Sequence, residues 1–183
     1  MDRRQRKTRE AIFRAFTGLL KRKAYSSITI QDIIDEADIG RTTFYAHYDT
    51  KDDLLGEMCR DIFDHVFSRG LIKENTHDFS HAMSLEAVIT HILYHLMDSR
   101  DYLKALLMDQ NENIFVRDLK ANLRTLFENR ITIPDSVLPH EYALDHMVAD
   151  FTETINWWMR NDSYSPEDIC RFYLMTTPYL SAK

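Results

Sequence analysis

The sequence predicts an all-α protein, and three observations support this fold class. Apolar residues recur at helical spacing in every long segment, for example at Leu85, Val88, Ile89 and Ile92. We find no convincing run that alternates apolar and polar residues between hairpin turns. Helix-start signals also stand where the spacing predicts helices, and the clearest is the Ser-Pro-Glu-Asp sequence that begins at Ser165.

The N-terminal segment predicts a basic amphipathic helix from about Arg4 to Lys23. Its apolar stripe recurs at the spacing of one helix face and consists of Ile12, Phe16, Leu19 and Leu20. The cations near its start are Arg3, Arg4, Arg6, Lys7 and Arg9. Such a run is often only a solvated helix face, and the alternative is a surface that contacts phosphate, which the segment described next favours.

The segment from Thr29 to Lys51 predicts two short helices joined by a tight turn, which is a helix-turn-helix. Thr29 precedes an apolar-periodic run and Asp32 follows three residues later, so the first helix is expected to begin near Ile30. The pattern stops at Asp38, because aspartate tolerates left-handed backbone angles better than most residues do.

The second helix of this motif is predicted from Arg41 to Tyr48, with Gly40 as its N-cap. Phe44 and Tyr48 are assigned to the core. The side chains left facing outward are Arg41, Thr42, Thr43, Tyr45 and His47. The second helix of a helix-turn-helix lies in the major groove of DNA, where such side chains contact bases and phosphates.

Charge is unevenly distributed along the 183 residues. The formal net charge is −6, which would disfavour nucleic acid if it were spread evenly. Residues 1–51 hold 11 Lys and Arg against 7 Asp and Glu, a net charge of +4, so the remainder carries −10. A basic module followed by an acidic region suits a protein that docks on phosphate with one end only.

Composition predicts a soluble cytoplasmic protein. No apolar run approaches membrane-spanning length, and the N-terminal segment lacks the uninterrupted apolar core of a signal peptide. Cys59 and Cys170 lie in helical patterns without metal-ligand spacing, so we expect reduced structural thiols.

The sequence predicts no metal site, no cofactor and no enzymatic activity. His91 and His95 are four residues apart, as are His77 and His81, but neither pair has an identifiable third ligand. No nucleophile, base and orienting group occur together at a recognisable spacing, and no phosphate-binding loop is present.

Thr50 is expected to open a long connecting helix, and the helical pattern breaks in the polar segment between Gly70 and Ser84. The region beyond it predicts further helices, including a long one that begins at Pro139. The predicted organisation is a helix-turn-helix domain at 1–50, the connecting helix at 51–70 and a larger helical regulatory and dimerisation domain at 71–183.

The second half of the chain supplies candidates for two binding surfaces. A cavity for an apolar effector would be lined by Tyr94, Met97, Tyr102, Met108, Phe115, Phe127, Met147 and Phe151. Plain core packing is the alternative for each of them, since an apolar stripe needs no ligand to explain it. A homodimer interface on the last two helices would use Trp157, Trp158, Phe172 and Tyr173.

Four segments together resemble the DNA-binding domain of the TetR family of transcriptional regulators. They are the basic first helix, TIQDIIDEADI, TTFYAHY and TKDDLL, and the resemblance covers about the first 67 residues. It implies a homodimer with two heads, each placing its recognition helix in a major groove of a pseudo-palindromic operator. It also implies a C-terminal helical domain that pairs and usually binds a small ligand.

The resemblance implies roles for individual residues as well. The positions that usually contact phosphate in this family match Tyr45, His47 and Lys51. The positions near base edges match Arg41, Thr42 and Thr43. The predicted DNA-binding set is completed by Arg3, Arg4 and Thr29.

Two residues depart from the family pattern. Members commonly carry glycine in the turn where this chain has Asp38, and glycine or another small residue where it has Thr42. The predicted function is a ligand-responsive homodimeric regulator, and more specifically a repressor. The rival hypothesis is a TetR-like adapter or co-activator that acts through a protein partner instead of an operator.

Overall fold

The structure, a computed structural model, describes residues 3–67, 84–107, 109, 114–130 and 138–177. All regular elements in these residues are helical, which confirms the all-α fold class. The α-helices are α1 (Arg3–Leu20), α2 (Ile30–Ala37), α3 (Arg41–Tyr45), α4 (Lys51–Phe67), α5 (Leu85–Asp98), α6 (Arg100–Leu107), α7 (Ile114–Arg130), α8 (His140–Arg160) and α9 (Pro166–Thr176).

The chain divides into two compact units. The first consists of Met1–Ile62 and Asp101–Arg117, so it combines the helix-turn-helix segment with most of α4, α6 and the start of α7. The second consists of Phe63–Arg100 and Asp118–Lys183. The first unit is therefore formed by two segments that are far apart in the sequence. The predicted domain boundaries after residues 50 and 70 assume that each domain is one continuous segment, and they stay a prediction.

The core of the first unit forms where α1 packs on α2 and α2 packs on α3. Ile12, Phe16, Ile33 and Phe44 are all 0% exposed in this core. Helix α1 ends earlier than the sequence predicts, because the chain turns into a short 3-10 helix, Tyr25–Ser27. The ring of Tyr25 is buried there in an edge-to-face contact with Phe16, at 6.3 Å between ring centroids.

The turn of the helix-turn-helix depends on Asp38, which follows α2 in the left-handed conformation at φ 50° and ψ 54°. Asp38 is the only non-glycine residue with positive φ in the part of the chain that the structure describes. The turn lets the Asp38 N–H donate to the Asp35 carbonyl at 3.3 Å and the Ile39 N–H donate to the Ile34 carbonyl at 3.2 Å. Asp38 therefore adopts the left-handed backbone expected from the sequence.

We expect Asp38→Gly to raise the free energy of unfolding by about 0.5–1 kcal/mol. The left-handed backbone costs a residue with a Cβ roughly 1–2 kcal/mol, and the larger unfolded-state entropy of glycine offsets about 0.5–1 kcal/mol of that relief. Asp38→Ala is the matched control, because alanine keeps the strain and loses the polar side chain. Urea denaturation of the three proteins measures the difference, and a glycine variant less stable than the parent would contradict this account.

In the second unit, α5 and α8 both pack against α9. Phe127, Phe151 and Tyr173 are 0% exposed and meet in the core, with ring centroids 6.1 Å apart for Phe127 and Phe151 and 4.7 Å apart for Phe151 and Tyr173. The Tyr173 hydroxyl donates to the Met147 carbonyl at 3.2 Å, and burial raises the pKa of Tyr173 far above its ordinary value. These rings tie α7, α8 and α9 into one core.

Side-chain caps begin α4, α5 and α9, and those at Thr50 and Ser165 stand where the sequence predicts them. Before α4, Thr50 Oγ1 accepts from the Asp53 N–H at 3.1 Å while Asp53 accepts from the Thr50 N–H at 2.9 Å, which is a capping box. Ser165 and Asp168 form the same arrangement before α9. Ser84 caps α5 by accepting from the Ala87 N–H at 3.2 Å.

Two further helix boundaries, in addition to the end of α1, differ from the sequence prediction. Pro139 stands at the N-cap of α8 and not in its first turn. Helix α3 spans only Arg41–Tyr45, because the chain leaves the helix at Ala46 before reaching Tyr48. The sequence also predicts a loop at 131–138, which contains Pro134, and a helix stop at Pro178. Apart from Leu138, these residues lie outside the described ranges.

Candidate nucleic-acid interface

Helix α3 divides its side chains between the core and the surface. Phe44 is 0% exposed and fixes the inner face, whereas Arg41 and Thr42 are exposed and Tyr45 is 45% exposed. An exposed tyrosine on a helix that is otherwise anchored by an aromatic core residue has a surface available for a partner. The ring of Tyr45 lies edge-on to Phe44 at 5.7 Å between centroids, so the core also limits its orientation.

Thr43 and His47 are half-buried. The ring of His47 lies 6.1 Å from that of Tyr48, which is 5% exposed and belongs to the core as predicted. The predicted outward set therefore consists of three exposed and two partly covered side chains.

Arg41 is held by a neighbour on α2. Its Nη2 donates to Gln31 Oε1 at 2.5 Å, and Gln31 Nε2 in turn donates to Asp35 Oδ1 at 2.7 Å. All three side chains are exposed. Gln31 is not among the residues predicted for the site, although the spacing of four residues from Gln31 to Asp35 on one helix is a signal that such a pair can form.

Lys51 has a structural role in addition to any contact with phosphate. Its Nζ donates to the backbone carbonyls of Tyr25 and Ile28, both at 2.9 Å, and lies 4.4 Å from the centroid of the Tyr25 ring. The Tyr25 hydroxyl hydrogen-bonds to Asp52, and burial together with this carboxylate raises the pKa of Tyr25 far above its ordinary value. These hydrogen bonds, which involve Lys51 and Asp52, hold the start of α4 against the 3-10 helix.

We expect Lys51→Met to lower the free energy of unfolding by about 1.5–3 kcal/mol, because two carbonyls lose a charged donor while the apolar stem is kept. Lys7→Met is the matched control, since Lys7 is exposed on α1 and the same charge is removed. Urea denaturation measures both variants. Equal and small changes in the two would mean that the Lys51 ammonium contributes nothing to the fold.

Thr29 was predicted to contact DNA, but its N–H and hydroxyl are both used by the α2 cap. Both donate to Asp32 Oδ2, at 2.9 and 2.8 Å, and the hydroxyl accepts from the Asp32 N–H at 3.1 Å. The hydrogen bond from Lys23 has the largest effect in holding the pKa of Asp32 well below its usual range, and the hydrogen bonds from Thr29 add to it. The ionised Asp32 therefore stabilises the fold above about pH 4, and this stabilisation is lost as the pH falls through the folded-state pKa of Asp32.

The basic N-terminal segment separates into two groups. Arg3 and Arg4 are exposed on the first turn of α1 and remain available to a phosphate backbone. Arg9 instead faces α4, where Nε lies 2.7 Å from Glu57 and Nη2 lies 2.7 Å from Asp61. Arg9 therefore ties α1 to α4, a role that the run of cations in the sequence did not reveal.

Among the described residues of 101–117, Asp101 and Asp109 make polar contacts with the N-terminal part of the first unit. Lys21 Nζ at the end of α1 lies 2.8 Å from Asp101 on α6. The Ser26 N–H in the 3-10 helix donates to Asp109 at 2.9 Å. Both contacts join residues about 80 positions apart in the chain, so no local pattern in the sequence predicts them.

The candidate effector residues fall into different places. Phe127, Met147 and Phe151 are buried in the core of the second unit. Tyr94 and Met97 on α5 are half-buried, and the Tyr94 hydroxyl donates to Glu167 at 2.5 Å, which raises the pKa of Tyr94. Two further candidates belong to the first unit, the half-buried Tyr102 and the fully buried Phe115, and Met108 lies outside the described residues.

The predicted dimer interface needs revision, because two of its four residues lie inside the protomer. Trp158 and Tyr173 are 0% exposed and have no surface left for a second chain. Trp157 is 39% exposed and Phe172 is half-buried, so both keep surface outside the core. The revised candidates are Trp157 and Phe172.

Within the described ranges, no group of three or more His, Cys, Asp or Glu side chains is arranged to hold a metal ion. The rings of His91 and His95 pack edge-to-face at 4.4 Å between centroids. Cys59 and Cys170 are buried as free thiols. None of the described helices is both long and apolar enough to cross a membrane.

The fold and the interface define a helix-turn-helix protein, with a basic head presented by α1 to α3. A family profile for bacterial regulatory proteins of the tetR family matches residues 12–58. A second profile, for a transcriptional regulator C-terminal region, matches residues 83–176. The chain belongs to the TetR family of transcriptional regulators, a family of non-enzymatic proteins.

Solved structures and a curated protein are similar to this chain to different degrees. A TetR transcriptional regulator from Streptococcus agalactiae 2603V is 33% identical, with a TM-score of 0.75 and coverage of 96% of both chains. NalD, the secondary repressor of the MexAB-OprM multidrug efflux pump in Pseudomonas aeruginosa, has the same fold at 20% identity, with a TM-score of 0.68 and 96% coverage of both chains. The HTH-type transcriptional regulator YxbF of Bacillus subtilis (strain 168), described as uncharacterized, is 45% identical over 71 residues. That match spans 36% of this chain and only 19% of YxbF.

Proposed function

We propose that this protein is a homodimeric, ligand-responsive repressor that binds a pseudo-palindromic DNA operator through α3. The observation that carries the proposal is the exposure of Arg41, Thr42 and Tyr45 on a short helix anchored by the buried Phe44. Arg41 can pair with guanine through two hydrogen bonds, a threonine can contact an acceptor or the thymine methyl, and Tyr45 can contact phosphate.

The electrostatics of the chain support operator binding. Residues 1–51 carry a net charge of +4 and the remainder carries −10, so attraction to phosphate is confined to the head. Arg3 and Arg4 add two exposed cations at the start of α1. His47 and Lys51 are partly covered, and in the proposed complex their remaining donors contact the phosphate backbone.

A homodimer is supported by an apolar surface on the last two helices and the loop between them. Trp157 and Tyr164 are each 39% exposed and Met175 is 73% exposed. The rings of Trp157, Tyr164 and Phe172 contact one another, at 5.3 Å for each pair that includes Tyr164. A second copy that covers this patch would build a four-helix bundle and place two heads on successive major grooves.

Ligand response is proposed through a two-state equilibrium. An effector that binds one state of the second unit more tightly would shift the equilibrium and reorient α4, which contributes residues to both units. A coupling of about 1–3 kcal/mol changes operator affinity about 5–150-fold, which is enough to switch occupancy. Repression is the proposed direction because it is what the resemblance to the TetR family implies.

The test is selection of the purified protein on a randomised DNA duplex library at near-physiological salt. We expect enrichment of an inverted repeat with half-sites about one helical turn apart. Arg41→Ala should weaken the preference at one base pair of each half-site, whereas Lys104→Ala, an exposed change on α6, should leave the enriched sequence unchanged. Enrichment of no sequence, with only salt-sensitive binding to any duplex, would overturn the proposal and favour an adapter that contacts a protein partner.

A further inference from the structure

We infer that Gln31 is a positioning residue that sets the base specificity of Arg41, although Gln31 itself lies on α2 and outside the recognition helix. The inference rests on the proposed operator binding and adds to it a residue that determines specificity. The observation that supports the inference is a chain of two hydrogen bonds that runs from Asp35 through Gln31 to Arg41.

The direction of the Gln31 amide decides whether it can hold Arg41. An amide has one oxygen that accepts and one nitrogen that donates, and a guanidinium only donates. Asp35 Oδ1 accepts from Gln31 Nε2 at 2.7 Å, and an ionised carboxylate can only accept. The nitrogen must therefore face Asp35, and the oxygen is left facing Arg41 Nη2 at 2.5 Å.

The relay of hydrogen bonds from Asp35 through Gln31 to Arg41 begins on a fixed helix and ends on a side chain that is exposed to DNA. Helix α2 is anchored by Ile33, which is 0% exposed, and by the cap at Thr29, so the backbone that carries Gln31 and Asp35 is fixed. Only one of the two Nη2 protons is needed for Gln31. The other Nη2 proton and the rest of the guanidinium remain for a bidentate contact with guanine O6 and N7.

Holding Arg41 in advance should sharpen discrimination between bases. Ordering a free, rotamer-rich side chain on binding weakens an interaction by an amount that corresponds to about 2- to 12-fold in affinity. A pre-positioned guanidinium avoids this loss at the base that fits it. It also has fewer alternative conformations with which to accommodate a wrong base.

The experiment compares the base preference of variants at every operator position, with duplexes derived from the selected repeat. Arg41→Met first identifies the base pair in each half-site that Arg41 contacts. Gln31→Met keeps the length of the side chain but neither accepts nor donates. Asp35→Ala and Glu36→Ala form the matched pair, because each removes one carboxylate from α2 and Glu36 pairs with Arg22 at 2.8 Å, away from the relay.

We expect Gln31→Met and Asp35→Ala to reduce the preference at the Arg41 base pair about 2- to 12-fold, with other positions unchanged. Glu36→Ala should leave the preference at that base pair at its original value. In the Arg41→Met background, Gln31→Met should have no further effect there, which a double-mutant cycle measures. Circular dichroism of each variant separates these local effects from loss of the fold.

Three results would overturn the inference. One is an unchanged preference at the Arg41 base pair in Gln31→Met. Another is a loss at a different base pair, since Gln31 would then contact a base directly. The third is an Arg41→Met variant that alters no base pair. If the parent protein enriches no repeat at all, the proposed function fails first and the inference fails with it, so the two failures are distinguishable.

Discussion

Replacing Trp158 by alanine is expected to lower the free energy of unfolding by about 3–5 kcal/mol, the usual cost of emptying a buried tryptophan site. Trp158 is 0% exposed, and its indole Nε1 donates to the Tyr164 carbonyl at 2.9 Å. The Arg100 guanidinium lies 5.2 Å from its ring. The substitution therefore removes packing, leaves the part-buried Tyr164 carbonyl without this donor and takes away the ring beside the Arg100 guanidinium.

The adjacent Trp157 supplies a matched control for this prediction. Trp157→Ala removes the same atoms from a side chain that is 39% exposed, so we expect a much smaller loss of protomer stability. It should instead weaken self-association, which sedimentation at several protein concentrations measures. Because the stability of a dimer depends on concentration, both variants must be denatured over the same concentration series. Equal losses of stability in the two variants, without a change in self-association for Trp157→Ala, would contradict the division of roles.

The two tryptophans also illustrate what helical spacing can predict. Phe151, Ile155 and Trp158 recur at intervals of four and three residues, which places Trp158 on the buried face of α8. Trp157 is one residue earlier, about 100° around the helix, and faces outward. The prediction that placed both tryptophans in one interface relied on their apolar character. Their spacing along α8 instead distinguishes the buried Trp158 from the exposed Trp157. Tyr173 was misassigned for the same reason, because its ring completes the core beside Phe151.

The architecture of the head could be predicted because its signals are local. A cap at Thr29, a turn at Asp38 and an inward Phe44 each depend on residues only a few positions apart. The same kind of signal predicted Thr50 and Ser165 as helix starts. In each case the side chain that satisfies the helix end lies within the next turn, so the sequence alone contains both partners.

Long-range polar contacts could not be predicted, because nothing in the sequence specifies a partner far along the chain. Lys51 donates to two backbone carbonyls, and every residue has a carbonyl, so no pattern distinguishes those of Tyr25 and Ile28. Arg9 looks like one more cation in a basic run, but it pairs with Glu57 on α4. The structure was therefore needed to separate the cations that hold the fold from those left exposed for the proposed contact with DNA.

Operator affinity is expected to fall steeply with salt. A dimer that makes 6–10 phosphate contacts loses about 10³–10⁵ in affinity between 50 and 200 mM salt, because each contact releases about 0.9 of a counterion. An adapter that binds a protein partner through apolar surface would lose far less over this range. Fluorescence anisotropy with the selected duplex at five or more salt concentrations measures the slope of log affinity against log salt.

The variant Arg3→Gln combined with Arg4→Gln tests which cations produce this slope. Both side chains are exposed at the start of α1, so the pair removes two contacts from each head and four from a dimer. The slope should become shallower by roughly 4. Arg9→Gln should change stability more than the slope, because Glu57 and Asp61 already neutralise Arg9 in the free protein. Lys104→Gln removes an exposed cation from α6 and should leave the slope unchanged. A slope that is insensitive to Arg3 and Arg4 but falls with Lys104 would place the phosphate-binding surface outside the predicted head.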